Sequence, residues 1–123
     1  MLSISSMRYL KQKIIKEQYN KIYSHELAHK RAGGALAGPI AIEKDANGVP
    51  FAGHVNITVP PLDPENPKDT FNKANTVLKA ALAPSDPSGQ DLKVADMARK
   101  LIFKSKKQMD KNEREKNSLN YFA

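Results

Sequence analysis

Between residues 6 and 32 the apolar positions Leu10, Ile14, Ile15, Ile22 and Leu27 recur at near-helical spacing. The spacing predicts a first long helix over 6–32. Gly33-Gly34 follows it, and glycine accepts the left-handed conformation that caps a helix C-terminus. Two short segments then read as strands. Residues 39–44 form the first. In the second, 51–59, Val55, Ile57 and Val59 point one way and His54, Asn56 and Thr58 the other. Asn47-Gly48 between them is a hairpin turn signal, because both residues tolerate positive φ. The proline-rich stretch 60–64 is a rigid connection.

A second helix starts with Asn66 as N-cap, Pro67 in the first position and Asp69 in the first turn. Its apolar stripe is Phe71, Ala74, Leu78, Ala81 and Leu82, and Pro84 ends it. A third helix opens at Asp86-Pro87-Ser88, with Ser88 and Asp91 placed to cap one another. Its apolar face is Leu92, Ala95, Ala98, Leu101, Ile102 and Met109, and Met97 and Met109 read as packing residues rather than metal ligands. The ends, 1–5 and 112–123, are expected to fray. The pattern predicts an α+β fold in a single domain over 1–123: a long helix, a hairpin and two C-terminal helices.

Composition narrows the class. A chain of 123 residues with 40% apolar and 27% charged residues can bury a small core and should be globular and soluble. No run of eighteen apolar residues suggests a membrane span, and residues 1–10 show no secretory signal. The absence of cysteine excludes disulfides and thiolate metal ligation and fits a cytoplasmic protein. The net charge is +7, with eight Lys or Arg against three Asp or Glu between Arg99 and Lys116. A basic stripe of this kind can attract nucleic acid, but Phe103 is the single aromatic residue among these charges, too few for a stacking platform. A solvated helix face is the favoured reading.

The candidate chemistry sits at the end of the first helix. His25-Glu26-Leu27-Ala28-His29 fits His-Glu-x-x-His. Residues four apart share one helical face, so the imidazoles of His25 and His29 can converge on one metal. Glu26 then lies beside the metal, where a carboxylate can act as general base toward water. The chain's third histidine is His54. A catalytic zinc usually has three protein ligands, and His54 supplies the missing count. Its place on the polar face of a strand suits a ligand facing a cleft and an ordinary exposed histidine alike. The long metzincin motif is excluded, since Ala32 and Ala35 stand where it needs Gly and His. Serine and cysteine nucleophile schemes lack their motifs, and Gly33-Gly34 lacks the rest of a phosphate loop.

The chain resembles the SprA-related family, bacterial proteins read as metalloproteases. The matching pieces are His25-Glu26-Leu27-Ala28-His29 with Ala32-Gly33-Gly34, then Gly53-His54-Val55, then the run from Ala80 to Asp91. The family pattern carries Glu where this chain has His54. The resemblance implies that this position holds the third ligand, as in gluzincins, with one ligand-competent side chain replacing another.

These readings lead to a minimal zincin-like domain that hydrolyses peptide bonds. One zinc per chain is expected on His25, His29 and His54, with Glu26 as general base and a peptide or protein as substrate. An exposed hairpin edge can hold an extended substrate by strand addition. Tyr23 and Asn56 are nearby possibilities for stabilising the oxyanion. Three imidazoles also suit cobalt, nickel or copper. The first alternative is a non-catalytic module in which zinc ties the hairpin to the helix, held by three histidines and one water or by a fourth ligand such as Asp86 or Asp91. The second is a basic adaptor binding nucleic acid through its third helix.

Overall fold

The computed structural model describes residues 2–122; Met1 and Ala123, the outermost residues of the ends expected to fray, lie outside it. Helix α1 spans Ile4–Gly33. It starts earlier than expected because Ser3 caps it, its hydroxyl accepting from the Ser6 N–H at 3.0 Å. It ends at Gly34, where φ is +54°. A short 3₁₀ turn, Gly34–Leu36, leads into the hairpin.

Strands β1 (Ala41–Lys44) and β2 (Pro50–His54) pair antiparallel, with Ala41 opposite His54 and a register shift between Glu43 and Lys44. Gly48 takes φ +77° in the turn, and the Asp45 side chain accepts from the N–H groups of Asn47 and Val49. The second strand is shorter than the expected 51–59. Past His54 the ladder breaks and resumes as one bridge, Ala37 to Ile57. Pro39, which has no N–H to give, lies in the gap. In the bridge the Gly38 N–H donates to the Asn56 carbonyl and the Thr58 N–H to the Leu36 carbonyl, both at 2.8 Å. The face alternation holds across the break: His54, Asn56 and Thr58 are exposed, Val55, Ile57 and Val59 partly covered.

Helix α2 (Pro67–Ala81) begins as its sequence predicts, with the Asn66 side chain accepting from the Asp69 N–H. Helix α3 runs Gly89–Phe122. It continues through the polar stretch expected to fray, since no Gly or Pro interrupts it after Gly89. The core lies between α2 and α3 and is built of small side chains: Ala74, Val77, Ala80 and Ala81 against Ala95, Ala98 and Leu101. Leu92, expected in this face, is 50% exposed, because it falls outside the arc that Ala95, Ala98, Leu101 and Ser105 share. The outer half of α1 carries its apolar residues in solvent: Ile4, Met7, Leu10 and Ile14 are all exposed. Only its C-terminal part buries residues, namely Glu26, His29 and Gly33. Among the described residues no helix is long and apolar enough to cross a membrane.

Gly53 fixes how closely β2 lies on α1. A Cβ there would stand 2.5 Å from Ile22 Cγ2 and 2.9 Å from Glu26 Cγ. Gly53→Ala is therefore expected to push the strand from the helix and cost about 1–3 kcal/mol, as overpacking does. Urea denaturation of the metal-free variant measures it, and an unchanged midpoint would show that the hairpin shifts freely.

Candidate metal centre

The donor atoms of His25 and His29 meet because the two residues lie on adjacent turns of α1. Their Nε2 atoms are 3.3 Å apart. A third donor arrives from α3: Asp91 Oδ2 lies 3.2 Å from His25 Nε2 and 3.1 Å from His29 Nε2. Tetrahedral bonds of roughly 2.0–2.1 Å hold neighbouring donors about 3.3 Å apart, so the triangle has the size a zinc ion needs. Among the described residues, His25, His29 and Asp91 are the group placed to share a metal.

Proton positions, assigned from the bonding partners, point the same way. His29 Nδ1 lies 2.7 Å from the Ala80 carbonyl, which can only accept, so the proton is on Nδ1. His25 Nδ1 faces Asp86 Oδ1 at 3.3 Å, which puts its proton there too. Two neutral imidazoles in this state aim Nε2 lone pairs at each other and at a carboxylate oxygen. Three acceptors with no proton between them repel one another unless a cation joins them, and a divalent ion with N and O preferences fits.

Asp91 is held by the cap that starts α3. The Ser88 N–H donates to Asp91 Oδ2 at 2.9 Å, and the Asp91 N–H donates to Ser88 Oγ at 3.1 Å. Burial pushes the Asp91 carboxyl up, but the Ser88 N–H, attraction to His29 in its protonated form, the Ser88 hydroxyl and His25 outweigh it in the metal-free site, and its pKa lies below the usual value. It is thus a carboxylate ready to bind metal at neutral pH.

Glu26 points differently. Only 6% of the residue is exposed, yet among the described residues it makes no side-chain hydrogen bond, and its oxygens are not sealed off. It opens onto a cleft of about 1080 Å³ that runs between α1, the segment 51–57 and the turn joining α2 to α3. Burial raises its pKa, partly offset by attraction to His29 and His25 in their protonated forms.

His54 lines the same cleft but does not reach the group of three. In the group of three, Asp91 Oδ2 stands in the place that the sequence reading gave to His54. The packing explains why: Gly53, not His54, is pressed onto Glu26, and His54 turns to the rim, about half exposed, with Nδ1 3.8 Å from Glu43 Oε1. Asn56 also lines the cleft, whereas Tyr23 stacks on Tyr19 with ring centroids 5.8 Å apart. Asp91 was visible in the sequence as a helix cap and as a possible fourth ligand. The outer hydrogen bond from His29 to Ala80 was not visible, since it uses a main-chain atom.

No curated protein and no solved structure matches the chain. The profile of the SprA-related family does, over residues 8–120. That span takes in the motif helix, the hairpin and the turn carrying Asp91, and the chain belongs to the SprA-related family.

Proposed function

We propose that the chain is a zinc-dependent peptide hydrolase, with the metal held by His25, His29 and Asp91 and with Glu26 as general base. The observation that carries this is the triangle of Nε2, Nε2 and Oδ2 at 3.1–3.3 Å, with Glu26 opening beside it. Bound zinc would supply Lewis acidity toward a carbonyl oxygen and toward water. The Glu26 carboxylate, with no hydrogen-bond donor on it among the described residues, is free to take a proton from water in the cleft and return it to the leaving amine. Its raised pKa brings it nearer to the working pH of such a base.

The cleft suits an extended peptide. Ile57 pairs with Ala37 through the hydrogen bonds of its neighbours, Asn56 and Thr58. Its own N–H and C=O therefore face the other edge, and they have no backbone partner among the described residues. The segment lines the cleft, and an unpaired edge there can add a peptide strand over the centre.

A second reading is a metal-bound interaction module without catalysis. It is favoured by the same triangle, because the ion would tie α1 to the start of α3 whether or not a peptide enters. Hydrolysis separates the two. The wild-type protein with one equivalent of zinc is expected to cleave members of a broad peptide library. Zinc bound without any cleavage would select the module. Elemental analysis of protein purified without an affinity tag is expected to show about one zinc per chain, lost on dialysis against a chelator. A chain that takes up no zinc in a titration would end both readings.

A further inference from the structure

The turn between α2 and α3 does more than deliver Asp91. It also places Asp86 against the outer nitrogen of His25. We propose that Asp86 is a positioning residue of the metal centre: by accepting from His25 Nδ1 it turns the His25 Nε2 lone pair onto the point shared with His29 and Asp91. This rests on the metal reading given above and assigns a role to a side chain outside the ligand triangle.

Both motif histidines need their rings fixed, and the fold fixes each differently. His29 is buried, 4% exposed, and its Nδ1 donates to the Ala80 carbonyl at 2.7 Å, a main-chain anchor inside the core. His25 lies nearer the solvent, with 21% of its side chain exposed, and among the described residues no main-chain carbonyl is bonded to its ring. A neutral imidazole there can carry its proton on either nitrogen, and water competes for both. With the proton on Nε2, the ring offers the metal no lone pair at the corner of the triangle. An acceptor oxygen at Nδ1 favours the other tautomer and makes the ring a stronger donor. Asp86 is the residue that faces this nitrogen, at 3.3 Å.

Asp86 is not arranged as a fourth corner of the triangle. Its Oδ1 sits on the Nδ1 side of the His25 ring, while His29 Nε2 and Asp91 Oδ2 sit on the Nε2 side. The two ring nitrogens face opposite ways, so the oxygen bonded to Nδ1 is turned from the point where the others meet. The side chain of Asp86 is 77% exposed, so its removal opens no cavity in the core. Pro84 and Pro87 stiffen the turn on either side and limit how far Asp86 can drift from His25.

The test compares the full-length wild type with Asp86→Ala and Asp86→Asn. Zinc affinity is measured by competition with a chromophoric chelator at fixed salt. The His25 tautomer of the metal-free proteins is read from imidazole ¹⁵N shifts. Asp86→Ala is expected to weaken zinc binding by about 10–100-fold, the usual cost of losing an outer partner of a ligand histidine. It is also expected to move His25 from the Nδ1–H form to a mixture, with no change in thermal unfolding of the metal-free chain. Asp86→Asn keeps an acceptor oxygen without the charge and should recover most of the affinity and the Nδ1–H form. Wild-type affinity in Asp86→Ala would overturn the role of Asp86 and leave the metal centre standing. An Asp86→Asn loss as deep as that of Asp86→Ala would also overturn it, since charge or direct ligation would then be what matters. No zinc binding by the wild type would overturn the centre itself.

Discussion

Glu26→Gln is expected to keep its zinc and lose about 10²–10⁴-fold of its peptide hydrolysis, the usual cost of removing a general base. The amide matches the carboxylate in shape but accepts no proton from water. None of the donor–donor distances of the triangle involves Glu26, so metal content should not change. A second readout supports the first. Burial raises the Glu26 pKa in the fold, so its contribution to stability is full below the ordinary carboxylate pKa and is lost as pH rises through the folded value. At neutral pH the metal-free wild type carries that cost and the Gln variant does not. The variant should therefore melt higher at pH 7, with the gap closing below about pH 4. Measuring kcat/KM, zinc content and both melting curves tests this together. Equal hydrolysis by the two proteins would remove Glu26 from the chemistry.

Asp91→Ala is expected to weaken zinc binding by more than the roughly 100-fold that an outer-shell loss costs, whereas His54→Ala should change it only a few-fold. The contrast follows from placement: Asp91 Oδ2 is 3.1–3.2 Å from both Nε2 atoms, and His54 sits at the rim beside Glu43. Asp91 also caps α3, so the Ala variant should lose about 1 kcal/mol of stability as well. Asp91→Asn separates the two roles, because an amide oxygen still accepts from the Ser88 N–H while the charge is gone. It should restore the cap and leave zinc binding weak. Isothermal titration of the three variants decides between the corners. A sharp loss with His54→Ala and none with Asp91→Ala would return the third position to His54.

The local devices of this fold were legible in the sequence. Asn66 with Pro67, the Ser88–Asp91 box and Gly34 each act where their types predict. Their effects are settled within a few residues. The motif helix and the alternation from His54 to Val59 were legible for the same reason. The sequence and the structure point to different third donors, His54 and Asp91. His54 is close to the motif in sequence and is the one remaining imidazole, so counting histidines selects it. The structure selects by packing instead. The close approach at Gly53 sets β2 on α1 and leaves His54 at the edge, while the Ala-rich contact of α2 with α3 carries Asp91 onto the histidines. A carboxylate that already had a local task as a helix cap gave no sign of a second one across the fold. The outer half of α1 misled in another way. Its apolar spacing gave the helix correctly, but Leu10 and Ile14 face solvent rather than a core.

The thinness of the core bears on how the protein keeps its shape. The largest side chains sealed from solvent are Val77, Thr70, Pro50 and Ser105, a small apolar reserve for two helices as long as α1 and α3. An ion that binds the folded chain and not the unfolded one shifts that balance by mass action, by about 2.7 kcal/mol when its free concentration is a hundred times the dissociation constant. That is a large share of what a domain with so little sealed inside can hold in reserve. If zinc is that ion, the folded fraction follows its free concentration, and the proposed centre also sets how much of the scaffold is folded.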